Sequence, residues 1–190
     1  MAKKGQVVVN RHTGQSIEFL KTAADTEGKM LEMLSSYKPG SLRPPVHYHP
    51  FQKEVFHVIK GELKIRLNDY DFTVFEGETV EISRNMKHAM WNASDNETLV
   101  NWKVFPAMDT EHYLEKMMAL GDGSKNGKPG LLKASGILLR YWSSFRLAKP
   151  APLLQLIIFF MAAPFSYLLS AKLFYKKPVA LSENYHIAKG

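Results

Sequence analysis

Four side chains in this sequence have the types and spacing of a single metal site: His47, His49, Glu54 and His88. The first three lie in PPVHYHPFQKEVFHVIKG and the fourth in GETVEISRNMKHAMWN. His47 and His49 are two residues apart, so on a β-strand they point to the same face. Glu54 follows five residues later, after Pro50 interrupts the strand. Three imidazoles and a carboxylate suit one divalent transition ion, of which Fe, Mn, Ni, Cu and Zn are the candidates alongside Co. The spacing predicts a mononuclear centre in a β-barrel.

These residues resemble the two motifs of the cupins. The first cupin motif reads G-x5-H-x-H-x(3,4)-E-x6-G, and this chain supplies His47, His49, Glu54 and Gly61, with Gly40 standing for the leading glycine. In the second, G-x5-P-x-G-x2-H-x3-N, the chain has Gly77, then His88 eleven residues on and Asn92 four beyond that. Ser83 and Asn85 replace the usual proline and glycine; asparagine accepts a positive φ more readily than other non-glycine residues. The resemblance covers about residues 40–105 and, with flanking strands, reaches back to about residue 7. It implies a double-stranded β-helix, the jelly-roll cupin barrel, with its metal ligands in the barrel's mouth. It also implies a metal-dependent oxygenase similar to the quercetinase-like single-domain cupins, acting on a small phenolic or enediol substrate. In that reading His47, His49 and His88 hold the metal as neutral imidazoles, and Glu54 completes the sphere or acts as catalytic base. Phe51, Phe56, Met90 and Trp102 are candidates for an apolar pocket wall. The alternative is a non-catalytic cupin that binds a small ligand.

The other histidines carry less. His57 lies three residues from Glu54 and so faces the other side of a regular strand. His12, His112 and His186 fall outside the motifs. There is no cysteine, which excludes disulfides, thiolate nucleophiles and sulfur-ligated metals. The opening MAKKGQVVVNRHTG lacks a secretory apolar run, so an intracellular protein, cytoplasmic or membrane-associated, is expected. On that ground the two glycosylation-type triplets, at Asn92 and Asn96, read as turn residues.

The elements that position the site follow from texture. With 190 residues, 45% hydrophobic and 23% charged, the chain is a globular domain plus an extension. The change falls near residue 108: a barrel over 1–108 and a helical extension over 109–190. Nine short alternating runs read as strands, at 6–9, 16–22, 29–37, 54–61, 62–69, 70–75, 78–83, 89–93 and 98–105. In ELKIRL, Leu63, Ile65 and Leu67 alternate with Glu62, Lys64 and Arg66. Helices are expected over 109–120 and 131–145. Between them, Asp122-x-Ser124-x-Asn126-Gly127 imitates the start of a calcium loop, but Lys133 occupies the twelfth position, where a bidentate Glu is required.

Residues 151–171, APLLQLIIFFMAAPFSYLLSA, carry no charge. As one helix they would reach about 31 Å, enough for a bilayer core, but Pro164 predicts a break. Residues 1–108 hold 14 basic and 13 acidic side chains; residues 109–190 hold 11 and 5, so the charge excess belongs to the extension. Arg140, Arg146 and Lys149 precede the apolar segment, and Lys172, Lys176 and Lys177 follow it. No nucleic-acid-binding motif accompanies the charge, so no nucleic-acid partner is expected and anionic lipid explains the excess better. Two uses of the segment stand open: membrane contact, or packing on the barrel and in a homodimer.

Overall fold

In the computed structural model, residues 2–170 are described. Lys172, Lys176, Lys177 and His186, and the last residue of the apolar segment, lie outside them. In chain order the elements are β1 (Val7–Asn10), β2 (Gln15–Lys21), β3 (Leu31–Tyr37), β4 (His47–Tyr48), β5 (Lys53–Lys60), β6 (Glu62–Leu67), β7 (Tyr70–Phe75), β8 (Thr79–Ile82), β9 (His88–Trp91) and β10 (Thr98–Phe105). There follow α1 (Thr110–Asp122), α2 (Leu131–Arg140), β11 (Arg146–Leu147) and α3 (Pro152–Ser170). The strands form two antiparallel sheets, ordered β1-β2-β3-β10-β5-β8 and β11-β4-β9-β6-β7. This is a jelly roll followed by helices, as expected.

Period-two alternation builds the space between the sheets. Leu63 and Ile65 point in from β6, with Leu67 half-buried at its end, and Ile17, Phe19, Leu31, Met33, Phe56 and Trp102 complete the core from the other sheet. Phe56 stacks on Trp102, ring centroids 5.5 Å apart. All nine expected strands form, with ends shifted by a few residues.

Turn chemistry agrees with the motif residues. Gly61, between β5 and β6, has φ +78°, and a Cβ there would come within 2.7 Å of the Glu97 carbonyl. Asn85 has φ +64°, supplying the left-handed residue that the motif's glycine would have provided. Asn92 is wholly buried. Its side-chain amide donates to the carbonyls of Tyr37, Lys38 and Asn96, and its Oδ1 accepts from Ser94.

The extension departs from expectation in two places. The second helix ends at Arg140 rather than residue 145. Residues beyond it turn back, and Arg146 and Leu147 pair with Tyr48 and His47 as an eleventh strand that adds to the barrel itself. Ala148 N–H donates to the Val46 carbonyl at 2.8 Å, continuing that pairing. A strand of two residues is too short to show periodicity. The expected break at Pro164 is also absent, since α3 continues through it. Pro164 lies on the exposed side of the helix.

Gly61→Ala is expected to lower stability by on the order of 2–3 kcal/mol, because it adds left-handed strain to a backbone collision. The check is the urea midpoint, with a slope unchanged from the wild type.

Candidate metal centre

The centre is assembled by both sheets. β4 and β9 pair at one position, His47 opposite His88, which sets those two side chains beside each other. His49, two residues beyond His47, returns to the same side just after β4 ends. Glu54 enters from β5 of the facing sheet: Lys53 is exposed, Glu54 is buried, and the strand register holds Glu54 between Ile82 and Val104. His49, His88 and Glu54 are nearly inaccessible and His47 is half-buried.

The ligand atoms of His47, His49 and His88 lie within 4.8 Å of one another. Ring centroids are 4.4 Å apart for His47 and His88, 5.2 Å for His47 and His49, and 5.3 Å for His49 and His88. Each ring is anchored through Nδ1 to a backbone carbonyl: His47 to Pro45 at 2.9 Å, His49 to Ser144 at 2.6 Å and His88 to Met86 at 2.9 Å. A carbonyl only accepts, so each Nδ1 must carry the proton, and each neutral ring presents a lone pair at Nε2.

Glu54 faces these lone pairs. Its Oε2 is 2.8 Å from His88 Nε2 and 3.3 Å from His49 Nε2, while its Oε1 accepts from Trp102 Nε1 at 3.1 Å. His49 Nε2, His88 Nε2 and Glu54 Oε2 are all buried without a hydrogen bond. Acceptors this close repel unless a positive charge lies among them, either a proton on an imidazole or a cation. The donor set, all nitrogen and oxygen with no sulfur, therefore fits a divalent transition ion.

Without such an ion the charge is carried by protons. Burial opposes charge on Glu54, but His49 and His88 outweigh it and hold the carboxyl well below the usual carboxylate range. Burial likewise opposes charge on His49, and Glu54 overrides it, pushing that imidazole up. His47 is held well below the ordinary imidazole range, by burial first and then by the other two histidines.

The extension completes the surroundings. Ser144, whose carbonyl anchors His49, and Phe145, which stacks on His47 at 4.6 Å, both follow α2. Tyr113 of α1 stacks in turn on Phe145, also at 4.6 Å. A cavity of about 330 Å³ opens beside His47 and His49, bounded by Tyr37, Met90 and Trp102 of the barrel and by residues of α1 and α2. Of the four expected wall residues, Met90 and Trp102 line it, Phe56 belongs to the core, and Phe51 lies on the surface, 58% exposed. The structure thus brings together all four expected site residues. His57 instead contacts Thr79 on the outer face, and His112 lies beside the buried Glu111 and the half-buried Glu115 of α1. Ser144, Phe145 and Tyr113 were not anticipated; YWSSFR at 141–146 gave no signal beyond a helix end.

A double-stranded β-helix with convergent histidines in its mouth defines a class. Residues 33–102 match the family model described as a cupin domain, and the barrel is a cupin domain. Two curated proteins are similar. Germin-like protein subfamily 3 member 2 of Arabidopsis thaliana is 29% identical over 109 residues, covering 54% of this chain and 46% of that protein. Polyketide synthase CurC of Streptomyces cyaneus is 28% identical over 104 residues, covering 53% and 66%. The chain thus spans less than two thirds of either relative. Among solved structures, a sugar phosphate isomerase from Silicibacter pomeroyi has 17% identity and a TM-score of 0.46, over 53% of this chain and 70% of that one. A cupin-like protein from Thermotoga maritima has 21% identity and a TM-score of 0.43, over 50% and 69%.

Replacing His49 by Ala is expected to abolish stoichiometric metal while the far-ultraviolet circular dichroism of the barrel persists, checked by elemental analysis after reconstitution. Where Glu54 raises the His49 imidazole enough to protonate it, uptake must displace that proton. Apparent zinc affinity is therefore expected to fall as pH drops through that raised pKa, with proton release measurable by titration in buffers of different ionisation enthalpy.

Proposed function

We propose that this cupin holds one divalent transition ion through His47, His49 and His88, with Glu54 either completing the sphere or acting as base, and acts as an oxygenase on a small phenolic or enediol substrate. The observation that carries this reading is the set of buried, unpartnered lone pairs beside an apolar cavity. When bound, the ion supplies Lewis acidity and, for a redox-active metal, electrons for oxidation. The chain's own residues do the rest. The three carbonyl-anchored imidazoles keep one orientation, so the ligand set is preorganised. Glu54, ionised and steadied by Trp102 through Oε1, lies behind His49, which lines the cavity, and acts as base on an acidic hydroxyl that reaches past that ring to its Oε2. Phe145 and Tyr113 shield His47 from bulk water. The competing reading is a binding module, which has the same cavity but no use for a base at Glu54.

Glu54→Gln separates them. It is expected to retain the fold and most of the metal and to lose at least about 100-fold in turnover, measured as dioxygen consumption over a panel of phenols and enediols. Equal turnover in the variant removes Glu54 as base. Ligand binding without dioxygen consumption by any metal-loaded form favours the binding module.

We also infer that α3 attaches the protein to an anionic bilayer surface without crossing it. One side of α3 is fixed to the protein: Phe159 is buried, and Gln155 donates to the carbonyls of Leu147 and Pro150. The other side leaves Leu153 and Phe160 each 72% exposed, with Ile157, Met161 and Phe165 beside them, so packing on the barrel does not use it. Among the described residues no helix is long and apolar enough to cross a membrane. The positive balance of residues 109–190 complements anionic headgroups. Vesicle flotation checks this: recovery with phosphatidylglycerol vesicles is expected to fall at least about fivefold in Leu153→Glu/Phe160→Glu. A lipid-independent dimer that the same double variant dissociates would assign the face to a second copy instead.

A further inference from the structure

The cavity beside the candidate centre is not a feature of the barrel alone. It is lined from the barrel by His47, His49 and Trp102 and from the helices by Leu114 and Met117 of α1 and by Leu138 and the half-exposed Leu131 of α2. Phe145, between the two sides, lies flat against His47. The polar groups on the barrel side are mostly committed or held neutral. Trp102 Nε1 donates to Glu54, the Nδ1 atoms of His47 and His49 are used on carbonyls, and burial pushes the Tyr37 phenol up to about 12. Among the described residues no aspartate or glutamate lines the cavity, and its two cationic side chains, Arg43 and Lys128, lie outside the α1 and α2 helices. A sugar or another polyol needs several donors and acceptors at fixed places along its length, and apart from the hydroxyls of Thr110 and Tyr113 the α1–α2 wall offers methyls, methylenes and thioethers instead.

We infer that the α1–α2 wall is a specificity determinant that selects an apolar-bodied ligand, an alkyl- or aryl-substituted phenol or enediol, with its oxygen head at the histidines and its body between barrel and helices. This deepens the oxygenase reading and rests on it for the position of the head; the body's site does not depend on the ion. A volume near 330 Å³ accommodates a single substituted ring. The thioether of Met117 adapts to the outline of such a ring, and Leu114 and Leu138 offer it branched methyl surface. Length discrimination therefore comes from the extension, while the barrel supplies the head group's chemistry.

The test is calorimetric titration of catechol, 4-methylcatechol, 4-ethylcatechol and 4-propylcatechol into zinc-loaded and zinc-free protein under argon. Each added carbon is expected to tighten binding by about fourfold in both forms, and the catechol head to gain only where zinc is present. Met117→Trp fills the wall; Leu131→Trp narrows the opening at a residue already half in solvent, where the fold tolerates it. Either is expected to reduce the propyl advantage to less than about twofold and leave zinc stoichiometry unchanged. A flat series in the wild type overturns the inference, as does a full series in both variants. A rising series in which zinc never strengthens the head leaves the apolar site standing and overturns the metal reading instead.

Discussion

Three backbone carbonyls govern this molecule's chemistry. Because Pro45, Ser144 and Met86 each accept from an imidazole Nδ1, the tautomer of every ring is fixed and its Nε2 is turned inward. Two of these carbonyls lie two residues before the histidine they hold, so local chain conformation delivers them. The third lies 95 residues away, beyond α2, and brings the extension into the geometry of the site. Without it, His49 would keep its place in sequence but not its orientation.

The buried carboxylate imposes the complementary requirement. Glu54 comes from one sheet and the histidines from the other, so charge balance at this point ties the two layers together. A buried carboxylate is costly unless it is paired and hydrogen-bonded. Trp102 meets part of that need through Oε1, and an imidazolium or a cation must meet the rest at Oε2. The same residue thus explains both why the centre attracts positive charge and why the sheets must be held at a fixed separation.

Legibility in the sequence followed the range of the interaction. Strand alternation, the glycine at 61, the left-handed asparagine at 85 and the ligand spacing are local, and all appear where the pattern places them. The ligands converge because His47 and His88 pair across a single register position, which the motif spacing carries implicitly. What stayed hidden depends on partners distant in the chain. β11 is two residues long and exists only because β4 offers an edge. Phe145 looks like a helix-end aromatic until it is seen on His47. Phe51, two residues beyond the second histidine, resembles a wall residue but projects into solvent. At Pro164 the local rule predicted a break, and the helix continues with the proline on its exposed side.

β11 has one more consequence. β4 is itself only two residues long, and without β11 it would be the open edge of the remaining four strands. The same short strand carries His47, so occupancy of the centre, closure of that edge and seating of the helices are not independent events. Through the β11 pairing and the Ser144 carbonyl on His49, ordering of residues 144–147 and binding at the histidines would favour each other, in the sense of linked local opening. The conformational entropy of residues far from the ion thereby becomes part of the ion's affinity.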